Sequence, residues 1–359
     1  MGEHPSPADL VFVTHTGEVS GAELVLLALV ELALARGHQV VLASPAGPLT
    51  ARLPKGVRHV ELPALGLGDG RLRPVGLALR SGLAARRIRA QLGPTTRLVV
   101  NSLLALPAVR LGWPRSHATW LVHDTVHRRD QRLVVRFGAG VLRRAVAVSE
   151  ATAAPLRELG LTVVVARHGV PWPVDATEPA PHQPPVVGIL ALLTPWKGHL
   201  VLLDAVAALP GVLVELAGGQ FPGDAGHVAT LHARAAEPDL AGRVRFLGHV
   251  DPMRALHRWD VVVSASTAPE AGPLSVLEAM SVGVPVVGTD HGNTTEFLRA
   301  GAGLLVPPGD AVALAAAIGR LLSEPALRAA LVAAARQRVA AEHDLGRTLP
   351  AMLAALVAP

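Results

Sequence analysis

The chain has 359 residues, half of them apolar and 17% charged, which suits two domains with large buried cores and excludes a disordered chain. It contains no cysteine, which excludes disulfides, thiolate metal sites and thiol nucleophiles and fits a reducing cytoplasm. Residues 1–172 hold 21 Lys+Arg against 11 Asp+Glu, whereas residues 173–359 hold 12 against 17, so the first half invites an anionic partner, either a phosphorylated substrate or an acidic membrane surface; a GC-rich genome that favours Arg gives the same excess.

The first seven residues carry no basic segment leading into an apolar stretch, so no secretory signal is expected. Leu10-Val-Phe-Val-Thr14 reads as a buried strand, followed by a loop from His15 to Gly21 and a helix from about Ala22 to Ala35, with Ser20 and Glu23 spaced as a capping box. Window 24–35 is among the most apolar, yet it contains a Glu and falls short of the ~20 apolar residues that span a bilayer. Gly37 ends the helix and Gln39–Ala43 is the next strand, a βαβ opening that implies a parallel sheet. Further strands are predicted near 58–62, 97–101, 118–123, 145–148 and 162–166.

Residues 173–184 are Pro-rich, polar and unpatterned, and read as an interdomain linker. A second series follows, with strands near 186–191, 212–217, 243–246, 260–264, 285–287 and 303–305 and helices near 198–208, 226–236, 252–258, 274–281 and 310–323. The stretch 325–357 reads as mainly helical. The expected fold class is α/β: two Rossmann-like, doubly wound parallel-sheet domains, 1–172 and 185–342, facing across a cleft, with 343–359 as a final helix. Ligands in such sheets sit beyond the carboxyl ends of the strands.

Four constellations stand at strand ends. Thr194-Pro-Trp-Lys-Gly198 places Lys197 beside a helix N-terminus, where charge and backbone N–H groups hold phosphate oxygens; a solvated lysine is the alternative. Only Lys55 and Lys197 among 33 basic residues are lysine, and an ammonium is not interchangeable with a guanidinium at a tight site. In Pro269–Met280, Glu270 follows a strand and Glu278 lies in the next helix; carboxylates accept two hydrogen bonds from sugar hydroxyls, although Ser275-x-x-Glu278 also reads as a capping box. His123-Asp124 ends an apolar strand, a place for acid–base work or for a histidine satisfied by local backbone. The Gly17–Gly21 loop lacks Gly-x-Gly-x-x-Gly and no acidic residue ends the second strand, which disfavours a nicotinamide or flavin enzyme. Asp-x-Asp, His-Glu-x-x-His and Gly-x-Ser-x-Gly are absent, and aromatics are too few for nucleic-acid stacking.

Taken in order, Val244–Met253, Trp259–Ser264, Pro269–Met280, Gly283–Val287, His291–Glu296 and Gly303–Asp310, together with Ser20-Gly-Ala-Glu23, Gly37-His-Gln-Val40, His123-Asp124 and Val148-Ser-Glu150, resemble the retaining glycosyltransferases of family 4, of the GT-B fold. The resemblance implies an acceptor-binding first domain, a donor-binding second domain and a C-terminal helix, 343–359, returning to the first. It implies that Lys197 contacts the donor diphosphate, that Glu270 binds hydroxyls of the transferred sugar and Glu278 the ribose. Gly272, Pro273, Leu274 and Ser275 would approach the phosphates, with Gly21 close to them from the other domain and His123 near the reacting centre. Family members need no metal or resident cofactor.

Three positions depart from the family pattern: Leu192 stands where an arginine usually contacts the diphosphate, His168 where an Asn usually precedes Gly169, and Gly272-Pro273 where a Phe-Gly pair is usual. A missing arginine contact costs ~2–3 kcal/mol unless another residue such as Arg167 replaces it. The implied activity is retaining transfer of a hexosyl or N-acetylhexosaminyl group from a nucleoside diphosphate sugar, a UDP-sugar first, in the cytoplasm. The arginines at 80, 86, 87 and 89 and at 128, 129, 132 and 136 favour a phosphorylated or lipid-linked acceptor and a peripheral place at the inner membrane face. Two alternatives carry the same fold: a catalytically silent binding subunit, suggested by Leu192, and a sugar phosphorylase or sugar-phosphate synthase.

Overall fold

The computed structural model of the protein describes residues 10–65, 73–91, 93, 96–112, 118–172, 181–220 and 223–358. The chain divides into two compact units: Met1–Arg167 with Thr348–Pro359, and His168–Arg347. The division falls between Arg167 and His168, so 168–172 belong with the second unit. Of the expected linker, 173–180 lie outside the described residues. His182 and Val186 are fastened to the second unit by the buried Asp260 carboxylate, which accepts their backbone N–H groups at 2.9 and 2.7 Å.

The first unit holds strands β1 (Leu10–Val13), β2 (Val40–Ser44), β3 (Arg58–Glu61), β4 (Arg97–Val100), β5 (Ala118–Val122), β6 (Leu142–Ala147) and β7 (Val163–Val165). They pair in parallel in the order β3-β2-β1-β4-β5-β6-β7. Its helices are α1 (Gly21–Ala35), α2 (Pro48–Ala51), α3 (Arg73–Arg89), α4 (Leu106–Gly112), α5 (Arg129–Ala139) and α6 (Glu150–Glu158). The central strands are unbroken apolar runs because helices cover a parallel sheet on both faces; every residue of β1, β2 and β5 is buried.

The second unit holds β8 (Val186–Leu190), β9 (Leu213–Ala217), β10 (Val244–Gly248), β11 (Val261–Ser264), β12 (Val286–Thr289) and β13 (Leu304–Val306), all parallel, in the order β10-β9-β8-β11-β12-β13. Its helices are α7 (His199–Ala207), α8 (Ala225–Ala235), α9 (Pro252–Leu256), α10 (Leu274–Val282), α11 (Gly292–Leu298), α12 (Ala311–Ser323) and α13 (Pro325–Glu342). The last helix, α14 (Leu345–Val357), begins in the second unit and ends in the first. Strand order reverses between β1 and β4 in one unit and between β8 and β11 in the other. Loops after those strands diverge there, which is where a doubly wound sheet opens a ligand crevice.

Sequence expectations and structure agree closely on strand positions. Helix α11 was not expected, because its seven residues, Gly-Asn-Thr-Thr-Glu-Phe-Leu, are too short to show a helical apolar period. No helix among the described residues is long and apolar enough to cross a membrane.

Candidate active site

The reversal in the second sheet brings together the loop after β8, which carries Lys197, and the loop after β11, which carries Glu270. The first ends in a 3-10 turn, Pro195–Lys197, and then Gly198 at φ +73°. A Cβ at position 198 would stand 1.9 Å from the Ala265 carbonyl oxygen, so both the left-handed backbone and the close approach demand glycine. Thr267 N–H donates to the Trp196 carbonyl at 2.8 Å and locks the two loops together.

Lys197 Nζ consequently lies 2.5 Å from Glu270 Oε2 and 4.3 Å from the centre of the Trp196 ring. The other carboxylate oxygen of Glu270 accepts from the Ser266 hydroxyl. Glu270 is 8% exposed, and its backbone carbonyl takes the N–H of Asn293 in α11 at 2.9 Å. His291 holds the same loop from the other side, its Nε2 2.7 Å from the Ser266 carbonyl oxygen, which requires the proton on that nitrogen.

Helix α10 begins four residues after Glu270. Pro273 is its N-cap and provides no side-chain cap, and the N–H groups of Leu274 and Ser275 have no acceptor among the described residues. Ser275 therefore sits inside the helix and cannot be the cap, which removes the capping-box explanation of Glu278. The half-buried Glu278 carboxyl has no hydrogen-bond partner among the described residues. Burial, with the nearby Asp251 carboxylate adding to it, pushes its pKa up to about 7. An ammonium, open helix N–H groups and two carboxylates make a site for a phosphorylated, hydroxyl-rich ligand.

The remaining expected site residues, Gly21 and His123, belong to the first unit. Gly21 is the exposed first residue of α1. Its neighbour Glu23 is buried and accepts from Thr14 Oγ1 at 3.3 Å, Ser20 N–H at 3.3 Å and Ser20 Oγ at 2.5 Å, so the expected Ser20–Glu23 pairing is present with the hydroxyl donating to the carboxylate. His123 follows β5, with Nε2 3.2 Å from Asn101 Oδ1 at the end of β4. Asp124 accepts the Leu103 N–H at 3.3 Å; burial raises its pKa, against the pull of that bond and of His15. Burial lowers the pKa of His15, which Glu23 and Asp124 oppose. Gly17, in the loop that lacks the dinucleotide fingerprint, has a packing reason: its carbonyl accepts the Leu49 N–H at 2.8 Å, and a Cβ there would meet the Ala46 carbonyl at 2.4 Å.

Asn101, His15, Ser266 and Asn293 were not singled out in the sequence. His15 and Asn101 were within reach of the argument used for His123, since each is a polar residue just beyond an apolar strand. Ser266 and Asn293 gave no such signal, because their positions depend on how the β11 and β12 loops meet. Arg167, the suggested substitute for the missing family arginine, belongs to the first unit and acts electrostatically on Glu150.

This fold and site define a glycosyltransferase of the GT-B type. Residues 174–338 match the family described as Glycosyl transferases group 1, and the chain belongs to that family. The phosphatidyl-myo-inositol mannosyltransferase of Mycobacterium leprae is 30% identical over 352 residues, covering 89% of this chain and 88% of its own. The lipopolysaccharide core biosynthesis glycosyltransferase LpsE of Rhizobium meliloti is 36% identical over 174 residues, 48% of this chain and 47% of its own, so the chain matches about half of that relative's length. Among solved structures, Anabaena HepE in complex with UDP and glucose superposes with a TM-score of 0.81 at 22% identity, covering 98% of this chain and 100% of the other, a likeness of fold.

Proposed function

We propose that the protein transfers a hexosyl or N-acetylhexosaminyl group from a nucleoside diphosphate sugar, a UDP-sugar in the first place, to a hydroxyl acceptor with retention at the anomeric carbon. The observation that carries this reading is the Lys197–Glu270 pair at 2.5 Å beside the uncapped start of α10. Lys197 and the N–H groups of Leu274 and Ser275, with Gly272 and Pro273 leaving the backbone bare, hold the diphosphate and stabilise the charge that grows on it as the bond from the anomeric carbon to the phosphate oxygen breaks. Glu270 holds sugar hydroxyls and Glu278 the ribose. The acceptor oxygen forms the new bond to the anomeric carbon, and its proton passes to the departing diphosphate. For His123 and Gly21 the proposed roles are those the family resemblance implies, orienting the reactants and approaching the phosphates. With an ammonium at the leaving group, no metal is assigned a role; transfer that persists after chelation supports this, and loss restored by a divalent cation refutes it.

The UDP bound by the fold neighbour HepE and the phosphatidyl-myo-inositol in the mycobacterial relative's name support a UDP-sugar donor and a lipid-linked or phosphorylated acceptor. Arg128 is taken by Asp130 and Arg132 by Glu158, each at 2.6 Å, but Arg86, Arg129 and Arg136 are exposed and form no ion pair among the described residues. The same two helices carry exposed apolar residues, Leu79 and Leu83 on α3 and Leu133 and Phe137 on α5, and both helices pack against α4. On α5 the spacing 129, 133, 136, 137 is one helical face. We assign this face to an anionic lipid surface, at the cytoplasmic side of the membrane. Leu192 favours one rival, a silent binding subunit. Measured sugar transfer or donor hydrolysis that Lys197→Ala and Glu270→Ala abolish decides for the enzyme; nucleotide binding without turnover decides for the rival.

A further inference from the structure

Two departures from the family pattern, His168 and Gly272, meet in space. A Cβ at position 272 would stand 2.6 Å from His168 Cδ2, 3.2 Å from His168 Nε2 and 3.4 Å from Asn293 Nδ2. Position 272 is two residues before the start of α10 and two after Glu270, so it lies inside the proposed phosphate loop.

The imidazole against it is not free to yield. His168 is buried, and desolvation, with His343 adding to it, lowers its pKa to about 4, so the ring is neutral at physiological pH. Its backbone is tied: His343 Nδ1–H donates to the His168 carbonyl at 2.8 Å, Val170 N–H donates to the His343 carbonyl at 2.9 Å, and Leu345 N–H donates to the Val170 carbonyl at 3.0 Å. His343 is itself held edge-on against Phe297, ring centres 5.0 Å apart at 83°, and Phe297 is buried. The segment leaving the first unit and the segment returning to it thus form one stitched base within the second unit, and the His168 ring stands on that base as a wall. Packed interiors resist displacement, so any volume added at 272 must move the loop rather than the wall.

We propose that His168 is a positioning residue of the donor site: its ring and the bare backbone of Gly272 form a fitted pair that fixes where the N–H groups at the start of α10 point. The inference rests on the reading of α10 as the phosphate-binding helix. It accounts for a large side chain at 168 together with none at 272, since either change alone leaves a gap or a clash beside Glu270. It also gives the segment 168–170 a role in the donor site that neither its sequence nor its distance along the chain from Lys197 indicates.

The test is a double-variant cycle in the full chain, with UDP affinity read by titration calorimetry and unfolding temperature by scanning calorimetry. Gly272→Ala should weaken UDP binding at least tenfold, because the alanine pushes the loop off the His168 ring. Adding His168→Ala should restore affinity to within about threefold of His168→Ala alone, since the clash is gone. A merely structural pair would move the unfolding temperature and leave the affinity of the folded chain unchanged, and that result overturns the proposal, as does a double variant whose loss is the product of the single losses. Should Gly272→Ala fail to fold, His168→Ala decides by itself: weakened UDP binding in a folded chain supports the role and unchanged binding refutes it. A parent chain that binds none of UDP, GDP and dTDP refutes the donor reading, and the positioning role falls with it; a parent that binds, with uncoupled variants, refutes only the positioning role.

Discussion

Replacing Lys197 by alanine tests whether the Lys197–Glu270 pair is both a structural and a functional unit. The Lys197 side chain is 16% exposed and that of Glu270 8%, so the pair lies largely out of water. Removing one partner of a buried ion pair costs about 3–5 kcal/mol, mostly because the other charge is left uncompensated. Ser266 still donates to Glu270 and water reaches the alanine site, which places the loss near the lower end, about 3 kcal/mol. For a domain of this size that is a fall of about 6–12 °C in the unfolding temperature of the second unit. Lys197→Ala with Glu270→Gln removes both charges, and the neutral amide still takes the Ser266 hydroxyl, so stability should return to within about 1 kcal/mol of the parent. Nucleotide binding should not return, because the phosphate has lost its ammonium. Scanning calorimetry of the parent, both single variants and the double, with and without UDP, reads both quantities. A Lys197→Ala chain as stable as the parent, or a double variant no more stable than Lys197→Ala, refutes the reasoning about the pair. A double variant with full UDP affinity refutes the role of Lys197.

Three further outcomes follow from the same geometry. Gly198→Ala places a side chain at φ +73° and against the Ala265 carbonyl, so a loss of at least ~2 kcal/mol is expected in chemical denaturation; an unchanged midpoint contradicts the close approach. Glu278 has its pKa raised from 4.5 to about 7, so between those values the folded chain holds a proton that the unfolded chain has released. Stability therefore falls as pH rises from about 4.5 to about 7 and is level above; Glu278→Gln should remove that slope and stabilise the chain at alkaline pH, and an unaltered pH profile sinks the assignment. Ribose hydroxyls are held best by the ionised carboxylate, so UDP binding near pH 6 should release a proton, seen as a buffer-dependent heat in calorimetry. At the basic face, Arg129→Glu and Arg136→Glu should each weaken partition onto phosphatidylglycerol vesicles by about 1 kcal/mol or more, and Leu133→Glu with Phe137→Glu should weaken it further, all without changing UDP affinity; equal binding of the parent to phosphatidylcholine vesicles rules out the anionic surface.

The central strands are legible because each is a short apolar run between turn residues, and the two βαβ series imply a parallel fold; β3, Arg-His-Val-Glu, is not such a run. Lys197 and Glu270 were legible as strand-end residues, but their contact was not: it depends on strand order, and the order β8-β11 is not written in any local pattern. Glu278 shows the limit from the other side. Its spacing from Ser275 satisfies a capping rule, and only the actual helix start at Leu274, too early for Ser275 to be the N-cap, removes that explanation of the carboxylate. The contact of His168 with Gly272 is likewise written in no local pattern, since it joins positions far apart in the chain through a close approach that the fold alone creates.

Leu192 gains a consequence from the same geometry. The Leu192 carbonyl accepts the Thr194 N–H at 2.8 Å, and Leu193 N–H donates to the Gly219 carbonyl at 3.0 Å, so the loop is shaped by its backbone and keeps its course without an arginine at 192. What is lost is charge. Lys197 pairs with Glu270 and lies over the Trp196 ring, so under the proposed function a diphosphate would draw the ammonium toward itself while Glu270 turns to sugar hydroxyls. A site with two cations can bind the diphosphate of a nucleotide lacking its sugar tightly. With one cation already paired, binding gains more from a ligand that also satisfies the carboxylate Lys197 leaves behind. Under the proposed function the site would therefore hold the intact nucleotide sugar more tightly than the free nucleoside diphosphate. A ratio of UDP to UDP-sugar affinity that rises in Glu270→Gln is the signature, because the neutral amide no longer needs the sugar to replace its lysine.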